Sequence, residues 1–160
     1  MDGHTETNNL GYAFMREING EPIVGFRDVK ENINVLSGIY NFTPRLNLTL
    51  RARHYWNEVK YSSFHNVDSK GDLVNRSFIS NWDDNVNIFN LDAFLTWDFR
   101  LGSRLIVGYK NWLGDDEYVP LLNKNSYLNN LGEIFDLRHG NELTVRFVYF
   151  LDYNEFRKKN

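Results

Sequence analysis

From Phe89 onward the odd positions read Phe89, Leu91, Ala93, Leu95, Trp97 and Phe99, while the even positions read Asn90, Asp92, Phe94, Thr96, Asp98 and Arg100. An apolar side and a mostly polar side that alternate residue by residue predict a β-strand with one water-avoiding face. The period recurs from Leu46, where Leu46, Leu48, Leu50, Ala52, His54 and Trp56 oppose Asn47, Thr49, Arg51, Arg53, Tyr55 and Asn57. It recurs again from Leu143, with Leu143, Val145, Phe147, Tyr149, Leu151 and Tyr153 on one side and Thr144, Arg146 and Asp152 on the other. There Val148 and Phe150 break the pattern. Weaker alternation covers 31–42, through Ile33, Val35 and Ile39, and 104–113, through Leu105, Val107 and Tyr109. The predicted class is all-β, an antiparallel up-and-down meander of about five long strands.

The connections carry the next inference. Tight turns at Thr43-Pro44-Arg45 and Leu101-Gly102-Ser103 alternate with long polar connections over 65–86 and 114–141. Short turns on one side and long loops on the other are the habit of transmembrane β-barrels, and the order places the C-terminus in the periplasm. A tilted spanning strand needs about 9–11 residues, which each segment supplies. The segment 46–64 is longer, so its second half is expected to project beyond the membrane. Aromatic girdles are expected at Tyr55 and Trp56 on the outer side, and at Trp97, Phe99 and Tyr153 on the inner side. Residues 1–29 read as an outer loop or hairpin turning at Asn19-Gly20, a dipeptide suited to a type I′ turn. Residues 30–160 read as the C-terminal strands of the barrel. Within the last loop, Leu128, Leu131, Ile134 and Phe135 are spaced as in one short amphipathic helix over 126–136. About five strands cannot close a barrel, so further strands upstream are expected.

This reading assigns each face. Leu46, Leu48, Leu50, Phe89, Leu91, Leu95, Trp97, Phe99, Leu105, Val107, Leu143, Val145, Phe147, Tyr149 and Leu151 are expected to face outer-membrane lipid. Arg51, Arg53, Asp92, Asp98 and Arg146 are expected to line the lumen, where charges on neighbouring strands pair. Phe147, Tyr149, Leu151 and Tyr153 resemble the terminal strand read by the barrel-assembly machinery.

Composition narrows the remaining chemistry. The net charge of -3 gives no footprint for nucleic acid, and the absence of cysteine removes disulfides and thiolate metal sites. No apolar run approaches the roughly 20 residues of a membrane helix. The N-terminal residues lack a signal-peptide pattern, so an exporting signal is expected outside this chain. His54, flanked by Arg51, Arg53 and Tyr55, is the one candidate for catalysis, although its register gives it an aromatic-belt position. Asp83-Asp84 and Asp115-Asp116-Glu117 could attract a hard cation, but without the spacing of a calcium loop they read as solvated loop charge. His4, His54, His65 and His139 offer no metal spacing. No nucleophile elbow, phosphate loop or dinucleotide fingerprint occurs, and no cofactor is expected.

Several strings also resemble a known family. Gly25-Phe26-Arg27-Asp28-Val29-Lys30-Glu31-Asn32, Leu50-Arg51-Ala52-Arg53-His54-Tyr55-Trp56, Phe89-Asn90-Leu91-Asp92, Tyr109-Lys110-Asn111 and Val148-Tyr149-Phe150-Leu151-Asp152-Tyr153 are similar to the gram-negative family catalogued as domain of unknown function 5916. The resemblance runs from about Leu10 to Lys159. It implies the C-terminal β-barrel part of an outer-membrane protein, whose full-length relatives carry an N-terminal carbohydrate-binding-like module absent here. Some relatives bear a loose hydrolase label, with no catalytic residues to carry over. Two further readings stay open: a soluble β-clam with the apolar face turned inward around a ligand, and a barrel-mouth hydrolase using His54.

Overall fold

Asn19 and Gly20 both adopt positive φ, 53° and 82°, so the chain reverses there in the mirror-image turn that right-twisted strands accept. In the computed structural model, which describes residues 3–77, 82–115 and 125–151, this turn joins β1 (Gly3–Ile18) to β2 (Glu21–Thr43). A turn at Pro44-Arg45 leads to β3 (Leu46–Val67), and β4 (Leu73–Arg76) follows. Then β5 (Asp84–Arg100) turns through Leu101 and Gly102, with Gly102 at φ 75°, into β6 (Ser103–Asp115). A helix α1 (Tyr127–Gly132) and a 3-10 turn (Ile134–Asp136) precede β7 (His139–Val148).

All strands join one antiparallel meander in the order β1-β2-β3-β5-β6-β7, with β4 paired to β3 beside that path. The predicted all-β meander is therefore the observed fold. Its details differ in three places. The position 29/30, read as a boundary, lies inside β2, which runs unbroken for 23 residues and pairs with β1 from Gly3–Val35 to Ile18–Glu21. Within that strand the Tyr61 ring lies over Gly25, 2.5 Å from where a Cβ would stand. Second, β4 lies within the connection read as a polar loop, extending along the β3 edge at Phe64–Val67 above the end of β5. Third, the hydrogen-bonded ladder of the last strand stops at Val148, before the aromatic run that had extended it; Tyr153 lies outside the described residues.

Register fixes the two faces. Across the sheet, Tyr40, Leu48, Leu95, Val107 and Val145 stand side by side, so one face carries an apolar row. On the other face Ser37, Arg51, Asp92, Lys110 and Glu142 form a row of polar and charged groups. The buried apolar side chains are Ile23, Trp56, Phe64, Leu113 and Ile134. The four on strands belong to the half of the sheet away from the turns at 44–45 and 101–102, and Ile134 reaches β5 and β6 from the 3-10 turn. The apolar face nearer those turns has no covering layer among the described residues: Leu143 is 71% exposed, Leu36 68% and Phe147 63%.

Candidate functional site: an apolar band, a charged face and a capped polar patch

The apolar face is a band with two different edges. At the turn end, aromatic rings collect. Phe99 stacks on Phe147 at 5.5 Å and on Tyr149 at 6.4 Å, and Trp97 tilts against Phe99 at 5.6 Å. Tyr40 and Phe42 pack edge-on at 4.9 Å on β2. The segment after β7 is latched to the same turn. Arg100 donates to the Tyr149 hydroxyl at 2.9 Å, the Phe150 amide donates to Ser103 Oγ at 3.0 Å, and Phe150 rests over Gly102. Trp97, Phe99, Phe147 and Tyr149 thus come together as an aromatic cluster on β5 and the chain end, and Tyr40 and Phe42, which the sequence pattern had not singled out, form a separate pair on β2.

The other edge is abrupt. Within the same face, Leu36, Ala52 and Leu91 give way in the next registers to Asn34, His54 and Phe89, then to Asn32, Trp56 and Asn87. Asn85 and Asn87 are 3% and 2% exposed, His54 4% and Glu58 5%. Buried amides of this kind must find partners. Here residues 125–136 supply them. Trp56 Nε1 donates to Asn130 Oδ1 at 2.8 Å, Asn87 Nδ2 to the Asn130 carbonyl at 2.8 Å, and Asn34 Nδ2 to the Tyr127 hydroxyl at 3.0 Å. Asn85 Nδ2 reaches the carbonyls of Asn57, at 3.0 Å, and Asn125. The Tyr127 ring lies 5.7 Å from both the His54 and Trp56 rings. The segment is a lid of polar contacts on the sheet.

This lid corrects the expected outer girdle. Trp56 is buried beneath it at 3% exposure, and Tyr55, on the charged face, donates to Glu31 Oε2 at 3.0 Å. His54 accordingly does not sit in an aromatic belt: its Nε2 pairs with Asn87 Oδ1 at 2.9 Å, and its buried Nδ1 has no partner. No serine or threonine hydroxyl bonds to His54 among the described residues. The single helix expected over 126–136 is split at Glu133 into α1 and the 3-10 turn, and α1 presents the other side. Ile134 is buried, while Leu128 and Phe135 are 76% and 79% exposed. Hydrogen-bonding demand from the sheet, and not apolar periodicity, chose the buried side.

The charged face holds the predicted polar residues. Arg53 and Asp92 form an ion pair at 3.0 Å, and Arg104 grips Asp98 through two bonds of 2.6 and 3.1 Å. Arg51 stands beside Asp92 in register, and Arg146 beside Ile106. Near the turns Arg45, Asp98, Arg104 and Arg146 line a concavity of about 490 Å³. Large rings on this face lie over glycines of the next strand: Phe94 over Gly108, Trp112 over Gly140 and Tyr61 over Gly25. A ring can lie flat on the sheet only where the neighbour lacks a Cβ. Of the acidic loop candidates, Asp83 accepts the Tyr61 amide at 2.7 Å and Asp84 the Asn85 amide at 2.9 Å, so both are engaged with backbone. Residues 116–117 lie outside the described residues. Among the described residues no histidine–carboxylate cluster could hold a metal ion.

The lid makes a prediction. Asn87→Ala removes the Oδ1 that faces His54 Nε2 and the amide that donates to the Asn130 carbonyl, at a cost of roughly 1–3 kcal/mol. Limited proteolysis within 125–136 should then accelerate by about tenfold or more. Unchanged cleavage would show that the lid is held by other contacts.

Compared with known proteins, the chain matches one family model over residues 1–160, described as Domain of unknown function (DUF5916). No curated protein and no solved structure matches it.

Proposed function

The chain belongs to the family Domain of unknown function (DUF5916), and on that premise we propose that it forms wall strands of a gram-negative outer-membrane β-barrel, with a structural, transport or surface-display role. The apolar face meets lipid, the charged face lines the lumen, and the turns at 44–45 and 101–102 lie in the periplasm with the C-terminus. The observation that carries this reading is the exposed apolar band. Leu36, Leu143, Val145 and Phe147 are each more than 60% exposed and lie on one face, which ends in an aromatic cluster. Water-soluble proteins rarely leave so extensive an apolar surface uncovered, whereas a lipid-facing band edged by aromatic rings is the ordinary exterior of a membrane barrel. The rings lying on glycines of the charged face support the same orientation, because side chains converge on the inside of a cylinder and diverge outside it.

Three partners follow from the reading. Lipid covers the band. Further strands of the same barrel pair with the outer edges of β1 and β7, which are the ends of the sheet; an open edge in hydrocarbon would leave backbone groups unpaired. The assembly machinery recognises the terminal aromatic run. A soluble clam would require the apolar face to close on itself or on a second layer, and the described residues offer it neither.

The chain contributes no cysteine, so with any thiol elsewhere in the protein replaced by serine a single introduced thiol reports cleanly. In intact outer membranes a charged, water-soluble maleimide should label Thr49→Cys and Thr96→Cys, on the charged face, and leave Leu48→Cys, Leu95→Cys and Val145→Cys unmodified. Labelling of both sets to the same extent would dismiss the membrane reading.

A further inference from the structure

The residues of the lid are distributed the wrong way round for a water-soluble protein. A surface helix normally turns its apolar stripe to the protein and its polar stripe to solvent. Here Tyr127 and Asn130 point to the sheet and bond to Asn34, Trp56 and Asn87, whereas Leu128, Leu131 and Phe135 are 76%, 41% and 79% exposed. α1 has no side-chain cap, no acidic residue in its first turn and no basic residue in its last. At six residues it is far too short to persist unaided. The sheet therefore holds it in place, in an orientation that leaves its large apolar side chains without cover from the described residues.

Its location supplies what covers them. The anchoring groups His54, Trp56 and Asn87 occupy the registers immediately beyond Ala52 and Leu91, where the apolar band ends. The 3-10 turn packs against β5 and β6 at the same level, with Ile134 buried. Thus the lid lies on the same face as the band and borders it. A short segment with polar groups inward and leucine and phenylalanine outward, at the rim of a lipid-covered wall, has the arrangement of an interfacial element.

We propose that residues 127–136 form an interfacial lipid anchor: Leu128, Leu131 and Phe135 enter the headgroup–acyl boundary of the outer leaflet and fix the depth at which the wall sits. This inference rests on the membrane reading given above. It adds a lipid contact from a segment that the strand pattern places outside the bilayer. The occupant is lipid, because the lid borders the apolar band on the same face, and a single fluid apolar medium covers both surfaces where the described residues leave them open.

The test places an environment-sensitive nitrobenzoxadiazole label on single cysteines in the complete protein, reconstituted in vesicles of phosphatidylcholine and phosphatidylglycerol. Labels at Leu128→Cys, Leu131→Cys and Phe135→Cys should show blue-shifted emission, at least twofold brighter than a label at Glu133→Cys. Shallow nitroxide lipids should quench them more than deep ones. A label at Leu95→Cys should be quenched more by the deep nitroxide. If Leu95 reports lipid while positions 128, 131 and 135 match Glu133, the anchor is refuted and the membrane wall stands. If Leu95 itself reports water, the membrane reading fails and the anchor with it.

Discussion

Leu95→Arg will destabilise the membrane-inserted fold by about 2–4 kcal/mol, the range for a cationic side chain on the lipid face near the bilayer midplane. Leu95 stands between Leu48 and Val107, with Val145 one strand further on, so no polar side chain lies directly beside it on that face. A guanidinium there must either remain in hydrocarbon or stretch toward a distant interface. The control is one register away. Thr49→Arg places the same charge on the opposite face, where Arg51, Arg53 and Asp92 already reside, and should change stability by less than about 1 kcal/mol. Urea titration of the protein in vesicles measures both. Equal effects would mean that the two faces share one solvent, and the assignment of lipid to one of them would fall.

The second large effect concerns the terminal aromatic run. Phe147→Asp with Tyr149→Asp removes two rings of the stack built with Phe99 and the acceptor of the Arg100 bond, and it sets two carboxylates at the turn-end edge of the band. The complete protein carrying both changes should fail to reach the outer membrane, with heat-modifiable, folded protein falling by an order of magnitude or more. Two losses combine: the alternating aromatic pattern offered to the assembly machinery, and the packing that latches the chain end to the 101–102 turn. The conservative pair Phe147→Leu and Tyr149→Phe keeps the apolar pattern and separates them. It should assemble at near-normal yield, while Tyr149→Phe still loses the Arg100 bond. Normal membrane assembly of the Asp pair would remove the assembly role.

These effects depend on alternation along single strands, which is local. Successive Cβ atoms point to opposite sides of any strand, so Leu46 to Ala52, Phe89 to Phe99 and Leu143 to Phe147 announce their common face without knowledge of their neighbours. Turn chemistry is equally local: Asn19-Gly20 and Gly102 mark reversals because their backbones reach positive φ. The all-β meander, its tight turns and the faces of β3, β5, β6 and β7 were therefore legible, whereas in β2 the register sets Ile33, Val35 and Ile39 beside Tyr55, Arg53 and Thr49 on the charged face and gives the apolar face to Leu36 and Tyr40.

What the chain alone could not disclose lies in contacts between distant segments. Trp56 and Asn130 are 74 positions apart, and no periodicity links them. Their bond decides that Trp56 and His54 are buried beneath a lid, outside any aromatic belt. The same bond turns the leucines of α1 outward, against the amphipathic reading of 126–136. The β2–β3 pairing brings the Tyr61 ring over Gly25, a contact between segments distant in sequence that no alternation along β2 announces. Likewise β4 is too short and too polar to declare itself, and it exists because the upper part of β3 has an edge that β5 leaves unpaired. Backbone geometry writes a period of two into the sequence. Partner choice across the sheet is decided by which buried polar groups and ring faces need an occupant, and that demand arises only once the strands are side by side.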